Sequence, residues 1–414
     1  MNSNNNTSSI QGEHGKGNFK GRGRIDQIVT ELRRQTDARH DFVLDTRDLA
    51  VTVGEQGEPR MIAHQSSAAD FFPRAGYPLL DQALNQVGNR AVSGGIPTRF
   101  MRRVWDANPK RTAEFMTGLM HDDPKRRLVR VLDDNVRAFL SQSYKCIDNL
   151  DIAEQALKVA MEHKAIPIEA SVSDSHMRLR FVSREIGEEL QRHRTQADAD
   201  GKSWFAGGIG SQDALRKVAA QSWGEMPGDT IHPALGFKNS ETGHGGCDLD
   251  GGILLGACFN LAWVRQMVHE VHLGGRLEEG LFTAGTARKH ADLIYSKITD
   301  ASNAYFTEEH FKKLVASYED AQSNVLRAPS VAVKVAVSAC DSLNESDMDN
   351  LLSYFCEQPG TLSEFNLGQG ISRMAQDVEP NRASDIEWFA NQVCEGKLSK
   401  EIERATVKHA VQTA

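Results

Sequence analysis

In the segment RRLVRVLDDNVRAFLSQSYKCIDN, residues 126–149, the spacing of hydrophobic residues changes from that of helices to that of strands. Apolar residues between positions 65 and 121 recur at helical spacing, which predicts a small cluster of helices. In RRLVRVL and VRAFL, by contrast, the charged and aliphatic residues follow the pattern of strands. We therefore predict strands over residues 126–132 and 136–140.

Outward from this segment, the same two periods divide the rest of the chain. An amphipathic helix is predicted over residues 149–163. Two alternating runs joined by Ser173-Asp174-Ser175 predict a β-hairpin over residues 166–182. The other predicted elements are a helix at 25–34, extended segments at 42–53 and 60–64, strands at 230–239 and 247–255, and a helix at 258–272.

Beyond residue 276 every segment carries an apolar stripe at a spacing of 3.6 residues, which predicts helices. Residues 1–23 are too polar to offset their ordering entropy, which predicts a disordered tail. Residues 187–226 are polar and rich in glycine, which predicts a long loop. The sequence thus predicts an α+β fold: a core domain over 24–275 with a central antiparallel sheet and flanking helices, followed by a helical domain over 276–414.

Composition limits the class of protein. The 414 residues are 40% hydrophobic and 25% charged, which is typical of globular chains. No apolar run approaches the roughly 18 residues needed to cross a bilayer, and the amino terminus lacks the apolar core of a secretory signal. We therefore expect a cytoplasmic protein that does not contact a membrane. The six cysteines form no CxxC pair, which favours reduced thiols over a disulfide framework.

Charge is distributed unevenly. The formal net charge is −8, yet residues 99–145 carry eleven Lys and Arg against six Asp and Glu. Residues 305–414 show the opposite balance, with ten basic and seventeen acidic residues. A basic stretch on an acidic protein allows a local nucleic-acid surface. Solvated helix faces explain the same charges equally well.

Two patches combine aromatic, basic and small polar residues at strand ends. They are VRAFLSQSYKCIDN at 136–149 and GFKNSETGHGG at 236–246. This mixture suits a nucleic-acid backbone whose bases stack on aromatic rings. The alternative is a pair of structural turns in which Asn and Ser side chains satisfy nearby backbone groups.

The nucleic-acid interpretation assigns roles to individual residues. Arg137 and Lys145 are predicted to neutralise phosphates, while Tyr144 or Phe237 stacks on bases. The complete set of predicted nucleic-acid-binding residues is Arg126, Arg127, Arg130, Arg137, Tyr144, Lys145, Phe237 and Lys238.

Signatures of enzymes are weak in this sequence. The glycine clusters at 207–210 and 243–252 fit neither GxxxxGK[ST] nor GxGxxG, and no GxSxG occurs. Five potential metal ligands lie close together in sequence but without the spacing of a known metal motif: His244, Cys247, Cys258, His269 and His272. We therefore predict no catalytic residue, no metal site and no cofactor, while a metal enzyme using these five residues stays a third hypothesis.

The patch at 136–149 resembles a sequence block of a phage- and plasmid-like protein family of unknown function, the domain-of-unknown-function family nine hundred and thirty-two. KNSETG at 238–243 and ACFN at 257–260 are similar to further segments of that family, and NLGQGI at 366–371 matches a late helix loosely. The similarity extends from about residue 70 to 395. It implies a mobile-element origin, a relation to uncharacterised prophage proteins and a cytoplasmic site of action.

The predicted order of helix, hairpin, strand pair and helix over 149–272 also resembles the core of single-strand annealing recombinases. That resemblance implies a homo-oligomer that binds single-stranded DNA in recombination or replication, without catalysis. The alternative is a structural or host-interaction protein of a mobile element, such as a scaffold or a host-defence inhibitor. In that case the acidic helical part would contact a host protein.

Overall fold

The computed structural model confirms the predicted α+β fold class. Among the residues it describes, helices and antiparallel strands share the chain as far as residue 270, and helices follow. The described residues are 21–64, 72–91, 100–142, 144, 147–183, 186, 188–189, 230–255, 261–270, 284–357, 362–375, 377–378 and 380–413.

Short strands and helices form the amino-terminal part. They are β1 (Gly21–Gly23), α1 (Ile25–Ala38), β2 (Arg39–Asp45), β3 (Leu49–Val53), β4 (Pro59–Ala63), β5 (Tyr77–Pro78), α2 (Asp81–Ala91), α3 (Phe100–Ala107), α4 (Pro109–Asp122), β6 (Arg126–Leu132) and β7 (Asn135–Ser141). Two small antiparallel sheets result, with strand orders β2–β6–β7 and β3–β4–β5. Trp105 of α3 and Phe139 of β7 belong to the hydrophobic cluster that both sheets share with α2–α4.

The strands predicted at 126–132 and 136–140 are confirmed as β6 and β7. Asp133 and Asp134 connect them with φ angles of 49° and 59°, a left-handed conformation that aspartate tolerates better than most residues. Arg34 of α1 forms an ion pair with Asp133 at 2.6 Å. The tight turn is therefore anchored to the first helix.

A larger antiparallel sheet lies at the centre. Its strands and the helix before them are α5 (Asn149–Glu162), β8 (Ala165–Val172), β9 (Met177–Ser183), β10 (Glu188–Glu189), β11 (Thr230–Asn239), β12 (Cys247–Leu255) and β13 (Leu261–Glu270). The strand order is β1–β8–β9–β11–β12–β13, and β10 pairs with β11. The predicted hairpin corresponds to β8 and β9, and the predicted strands at 230–239 and 247–255 have the bounds of β11 and β12.

The helix predicted over 258–272 is wrong, because residues 261–270 form strand β13. This strand pairs antiparallel with β12. Val268 is buried in the core while His269 is exposed, so neighbouring residues alternate between the two sides of the sheet. The apolar residues of this segment fit the spacing of a helix as well as that of a strand. The strand forms because the edge of β12 supplies backbone hydrogen bonds. Cys258 and His272 lie outside the described residues.

Two further predictions concern polar segments. The sequence predicts disorder as far as residue 23, but residues 21–23 form β1 and pair with β8. Backbone pairing to the sheet edge orders them despite their polarity. Residues 1–20 lie outside the described part. Most of the loop predicted over 187–226 does so too, although Glu188 and Glu189 form β10.

Seven helices follow among the described residues. They are α6 (Ala284–Tyr305), α7 (Glu308–Ser323), α8 (Pro329–Ala339), α9 (Met348–Cys356), α10 (Glu364–Ala375), α11 (Pro380–Cys394) and α12 (Ser399–Thr413). Ile294 and Tyr305 of α6 pack in the same hydrophobic cluster as the central sheet. The first helix after residue 276 is therefore part of the core of the sheet. The domain boundary at 275 stays a prediction.

The central sheet has one apolar face, and its other face is polar except for a small apolar cluster of Val182, Ala234 and Leu254. Leu179, Phe237 and Leu249, from three adjacent strands, belong with residues of α1, α5 and α6 to one hydrophobic cluster. The residues next to them in each strand, including Arg178, Lys238 and Asp248, point to the opposite side because strand side chains alternate. We call this opposite side the polar face of the sheet.

A buried ion pair links the polar face to the carboxy-terminal helices. Arg180 of β9 contacts Glu387 of α11 through two hydrogen bonds of 3.0 and 2.6 Å. Arg180 also contacts Glu169 of β8 at 2.6 Å. Because both partners of the first pair are buried, removing one of them leaves an incompletely compensated charge inside the protein.

Replacing Glu387 by Ala should lower the free energy of unfolding by about 2–4 kcal/mol, somewhat below the usual cost of breaking a buried ion pair because Glu169 remains. A double-mutant cycle with Arg180→Met, measured by urea unfolding, checks this. We expect the double variant to be more stable than the sum of the single effects implies. Additive effects would show that the two side chains do not stabilise each other.

Candidate functional site

The two sequence patches rich in aromatic, basic and small polar residues meet in the structure. The turn between β11 and β12 packs against the segment that connects β7 to α5. Tyr144 donates its hydroxyl hydrogen to the carbonyl of Ser240 at 3.0 Å, and Asn239 Nδ2 donates to the carbonyl of Ile147 at 2.8 Å. We call this contact region, residues 144, 147–149 and 239–242 with the side chains they meet, the junction.

Glu241 lies at the centre of the junction and is 6% exposed. Its carboxylate accepts hydrogen bonds from the backbone N–H of Asn149 at 2.5 Å and from Arg137 Nη1 at 3.2 Å. Because Asn149 is the first residue of α5, the carboxylate also lies at the positive end of that helix. The Glu241 carbonyl accepts from Arg130 Nη1 at 2.9 Å. One residue therefore connects β6, β7 and α5.

The nucleic-acid contact predicted for Arg130 and the phosphate contact predicted for Arg137 are incompatible with this arrangement. The two residues are 2% and 6% exposed. Arg130 forms further ion pairs with Asp41 at 3.0 Å and Asp148 at 3.4 Å. A guanidinium that is excluded from water and surrounded by carboxylates is already neutralised, so both arginines stabilise the junction rather than a ligand.

The stacking role predicted for Phe237 is also incompatible with the structure. Its ring is 2% exposed and packs edge-to-face on Phe181 at a centroid distance of 5.7 Å. Position 237 points to the apolar face of the sheet, which the sequence pattern did not show. Tyr144 is half-buried and its hydroxyl is engaged within the junction. Lys145 lies outside the described residues.

Three predicted residues keep access to solvent. Arg126 is exposed at the start of β6. Arg127 is half-buried, and its guanidinium carbon lies 5.9 Å from the centroid of the Phe139 ring, a distance that favours a cation–π contact. Lys238 is half-buried on the polar face of the central sheet. These three do not form one cleft with the buried members of the predicted set.

Lys238 belongs to a row of polar residues across four adjacent strands. In register, Arg178 of β9 faces Lys238 of β11, Lys238 faces Asp248 of β12, and Asp248 faces His269 of β13. His269 Nδ1 lies 2.5 Å from Asp248 Oδ1, and the histidine side chain is half exposed. A buried carboxylate thus fixes an imidazole whose other nitrogen is directed away from it.

Asp250 lies two positions further along β12 on the same face and is 7% exposed. Burial raises the pKa of its carboxyl group to about 7; Asp248 acts in the same direction, and Lys238, Arg180 and Arg178 oppose the shift. One carboxyl oxygen, Oδ1, is buried without a hydrogen-bond partner. The polar face therefore contains an acid that changes protonation near neutral pH.

The five potential metal ligands are not brought together where the structure describes them. Cys247 packs in the apolar core, and burial raises the pKa of its thiol to about 12. His269 pairs with Asp248 on the opposite face of the same sheet, while His244 lies in the turn before β12. Within the described ranges, no group of three or more His, Cys, Asp or Glu side chains has the geometry of a metal site.

Exposed aromatic and basic residues that were not predicted as a site lie on α3 and α4. Phe100 and Phe115 are 48% and 54% exposed, and Arg103, Lys110 and Arg111 are exposed beside them in the sequence. We call these five residues the α3–α4 surface. Burial of Met101, Trp105 and Met116 orients the two helices. The sequence alone does not separate these buried residues from the exposed phenylalanines, because all of them are apolar.

None of the protein-family models, curated proteins or solved structures that were compared with the chain matches it. The resemblance to the phage- and plasmid-like family stays a prediction. In the described part of the chain, no helix has the length and hydropathy required to cross a membrane.

Replacing Glu241 by Ala should lower the free energy of unfolding by about 3–5 kcal/mol, because Arg137 would stay buried without its carboxylate. Urea unfolding followed by circular dichroism measures the change. The control is Glu403→Ala on the exposed side of α12, which should stay within about 0.5 kcal/mol of the unmodified protein. Equal effects of the two substitutions would contradict the structural role of Glu241.

Replacing Asp250 by Asn should stabilise the protein at pH 8 and leave it nearly unchanged at pH 4. The folded-state pKa of Asp250 is raised to about 7 from its ordinary value of 3.8, so its ionisation disfavours the folded state increasingly as the pH rises between these values. At about 1.4 kcal/mol per pKa unit, a shift of about three units corresponds to a gain of about 4 kcal/mol at pH 8. Urea midpoints at both pH values test this, with exposed Asp320→Asn as the control. A gain independent of pH would contradict it.

Proposed function

We propose that the protein binds single-stranded nucleic acid through the α3–α4 surface, without catalysing a reaction. The observation that carries the proposal is the pair of exposed phenylalanines, Phe100 and Phe115, each accompanied by arginine on the same side of its helix. Arg103 follows Phe100 by three positions, and Arg111 precedes Phe115 by four. These spacings place side chains next to each other on a helix.

The cations of this surface are available to phosphates. Within the described part of the chain, Arg103, Lys110 and Arg111 have no carboxylate within ion-pair distance. Arg102, by contrast, is paired with Asp81 and Asp106. Unpaired cations release bound counterions when they meet a polyanion, which makes binding sensitive to salt.

Exposed aromatic rings favour unpaired strands over duplex. A base stacks on a ring only if its face is free, and such stacking contributes about 1–3 kcal/mol per base. The two phenylalanines therefore supply an attraction that a duplex with stacked base pairs cannot use. This arrangement retains the predicted class of ligand but replaces the predicted cleft on the central sheet.

Binding is tested by fluorescence anisotropy with a labelled single-stranded oligonucleotide at about 50 mM salt, where the electrostatic contribution is strong. Replacing Phe100 and Phe115 together by Ala should weaken binding about 30-fold or more, because two stacking contacts of about 1–3 kcal/mol each are lost. The matched control replaces two other exposed apolar residues, Val407 and Val411, by Ala. It should leave the affinity unchanged.

Charge substitutions separate the two contributions. Changing Arg103, Lys110 and Arg111 to Gln should reduce the dependence of log K on log salt by about 0.7 for each phosphate contact removed. Absence of binding by micromolar protein, or equal affinities of the phenylalanine and valine variants, would overturn the proposal.

The cellular context follows from the sequence resemblance and is part of the same proposal. We infer a mobile-element protein that acts as a homo-oligomer in the cytoplasm of the host cell, in recombination or replication. Light scattering during gel filtration measures the assembly. A monomer with and without oligonucleotide would contradict the oligomer.

A second candidate function is a structural or host-interaction role without nucleic acid. The exposed Val407 and Val411 on α12, 59% and 74% accessible, favour a protein contact at this end. A groove of about 500 Å³ between α8 and α12 lies at the same end. A stoichiometric host protein whose binding is lost in the Val407→Ala, Val411→Ala variant, together with no oligonucleotide binding, would favour this function over the first.

A further inference from the structure

We infer that Gly118 keeps the solvent side of the Phe115 ring open for an unpaired nucleobase, which makes Phe115 the main stacking residue of the α3–α4 surface. The inference rests on the proposed function, because it assigns a role within the same binding surface. It adds that the two exposed phenylalanines are not equivalent, and that a glycine determines which of them receives a base.

Gly118 occupies a position in α4 where the fold gives no reason for a glycine. The helix extends four residues beyond it, to Asp122. Gly118 is exposed, and a Cβ atom placed there would have no atom within 4 Å apart from its sequence neighbours and its own helix backbone. Glycine is less favourable than alanine inside a helix, because it loses more backbone freedom on folding. Its presence here therefore points to a requirement other than stability.

The direction of helical side chains connects this position to Phe115. Each Cα–Cβ bond tilts toward the start of the helix, so a side chain covers the turn that precedes it. A side chain at position 118 would consequently lean toward Phe115, three positions earlier. Met116 is buried and Leu119 is half-buried, so these two residues mark the side of α4 that faces the core. Gly118 lies away from that side and leaves the outer side of the ring uncovered.

The sequence of α3 provides an internal comparison. FMRRV at 100–104 and FMTGL at 115–119 both begin with an exposed phenylalanine and a buried methionine, and both end with a half-buried aliphatic residue. Three positions after the phenylalanine, however, α3 has the exposed Arg103 where α4 has Gly118. The side chain of Arg103 is placed to lean toward Phe100, and position 118 has no side chain to do so. Phe115 therefore offers ring area that Phe100 does not.

The charges around Gly118 favour a base over a phosphate. Glu114 and Asp122 lie one turn before and one turn after it, and both are exposed. Arg111 lies one turn before Phe115 and is exposed as well. The carboxylates repel a phosphate at Gly118, while the guanidinium attracts one at the other end of the ring. A nucleotide with its phosphate at Arg111 and its base over Gly118 fits this arrangement.

The test replaces Gly118 by Leu and measures two properties of the full chain. Fluorescence anisotropy with a labelled single-stranded oligonucleotide should show binding that is weaker by about fivefold or more, because the leucine covers one stacking surface. Urea unfolding should show a higher midpoint, because leucine favours a helix more than glycine does. A loss of affinity in a more stable protein cannot result from unfolding.

The matched control is Ala304→Leu, which adds a leucine side chain at an exposed position of α6. Its affinity for the oligonucleotide should stay within about twofold of that of the unmodified protein. Unchanged affinity of the Gly118→Leu variant, or an equal loss in the Ala304→Leu variant, would overturn the role of Gly118.

Photochemical cross-linking provides a second measurement, which uses the unmodified protein. A single-stranded oligonucleotide that contains iodouracil is irradiated in the complex, and the cross-linked peptides are identified by mass spectrometry. We expect the main cross-link at Phe115 and its loss in the Gly118→Leu variant. A main cross-link at Phe100, or a Phe115 cross-link that persists in the variant, would contradict the inference.

The same anisotropy data separate this inference from the proposed function. If the unmodified protein does not bind the oligonucleotide, the proposed function is wrong and the role of Gly118 fails with it. If binding is lost in the Phe100→Ala, Phe115→Ala variant but unchanged in Gly118→Leu, the proposed function stands and only the role of Gly118 is overturned.

Discussion

The buried residue Glu241 connects the turn between β11 and β12 of the central sheet to β6, β7 and α5. It accepts a hydrogen bond from Arg137 of β7 and another from the first backbone N–H of α5, while its own carbonyl accepts from Arg130 of β6. Charge that would be costly to bury alone is compensated by a guanidinium and a helix terminus at the same point. The small sheet, the helix and the central sheet consequently share one fixed contact.

This contact also explains why we place the proposed binding surface outside the junction. Arg130 and Arg137 have the residue type of phosphate ligands, but their donors are directed to Glu241 and neighbouring carboxylates inside the protein. The cations that remain accessible lie elsewhere, on α3 and α4 and at Lys238. Availability of a charge, rather than its presence in a basic stretch, therefore decides where an anionic ligand can bind.

Period and turn chemistry predicted much of the fold. The hairpin β8–β9 and the strands β11 and β12 follow from alternation interrupted by turn residues, and tertiary contacts did not override these signals. Strand β13 was missed because its apolar residues fit a helix as well as a strand, and only the edge of β12 decides between them. The candidate site was predicted less well. The sequence singled out two segments that do meet, but gave them a solvent-facing role.

By itself, the sequence determined the α+β class and most strand and helix positions, because these depend on local periodicity and turn preferences. It also showed that the two patches have a similar composition. Only the tertiary structure decided which polar groups are buried and which are accessible. Glu241 and Arg137 are 104 residues apart in the chain, and no local pattern shows that one neutralises the other. The exposure of Phe100 and Phe115 likewise depends on which side of each helix packs against the core, since a phenylalanine has the same hydrophobicity on either side.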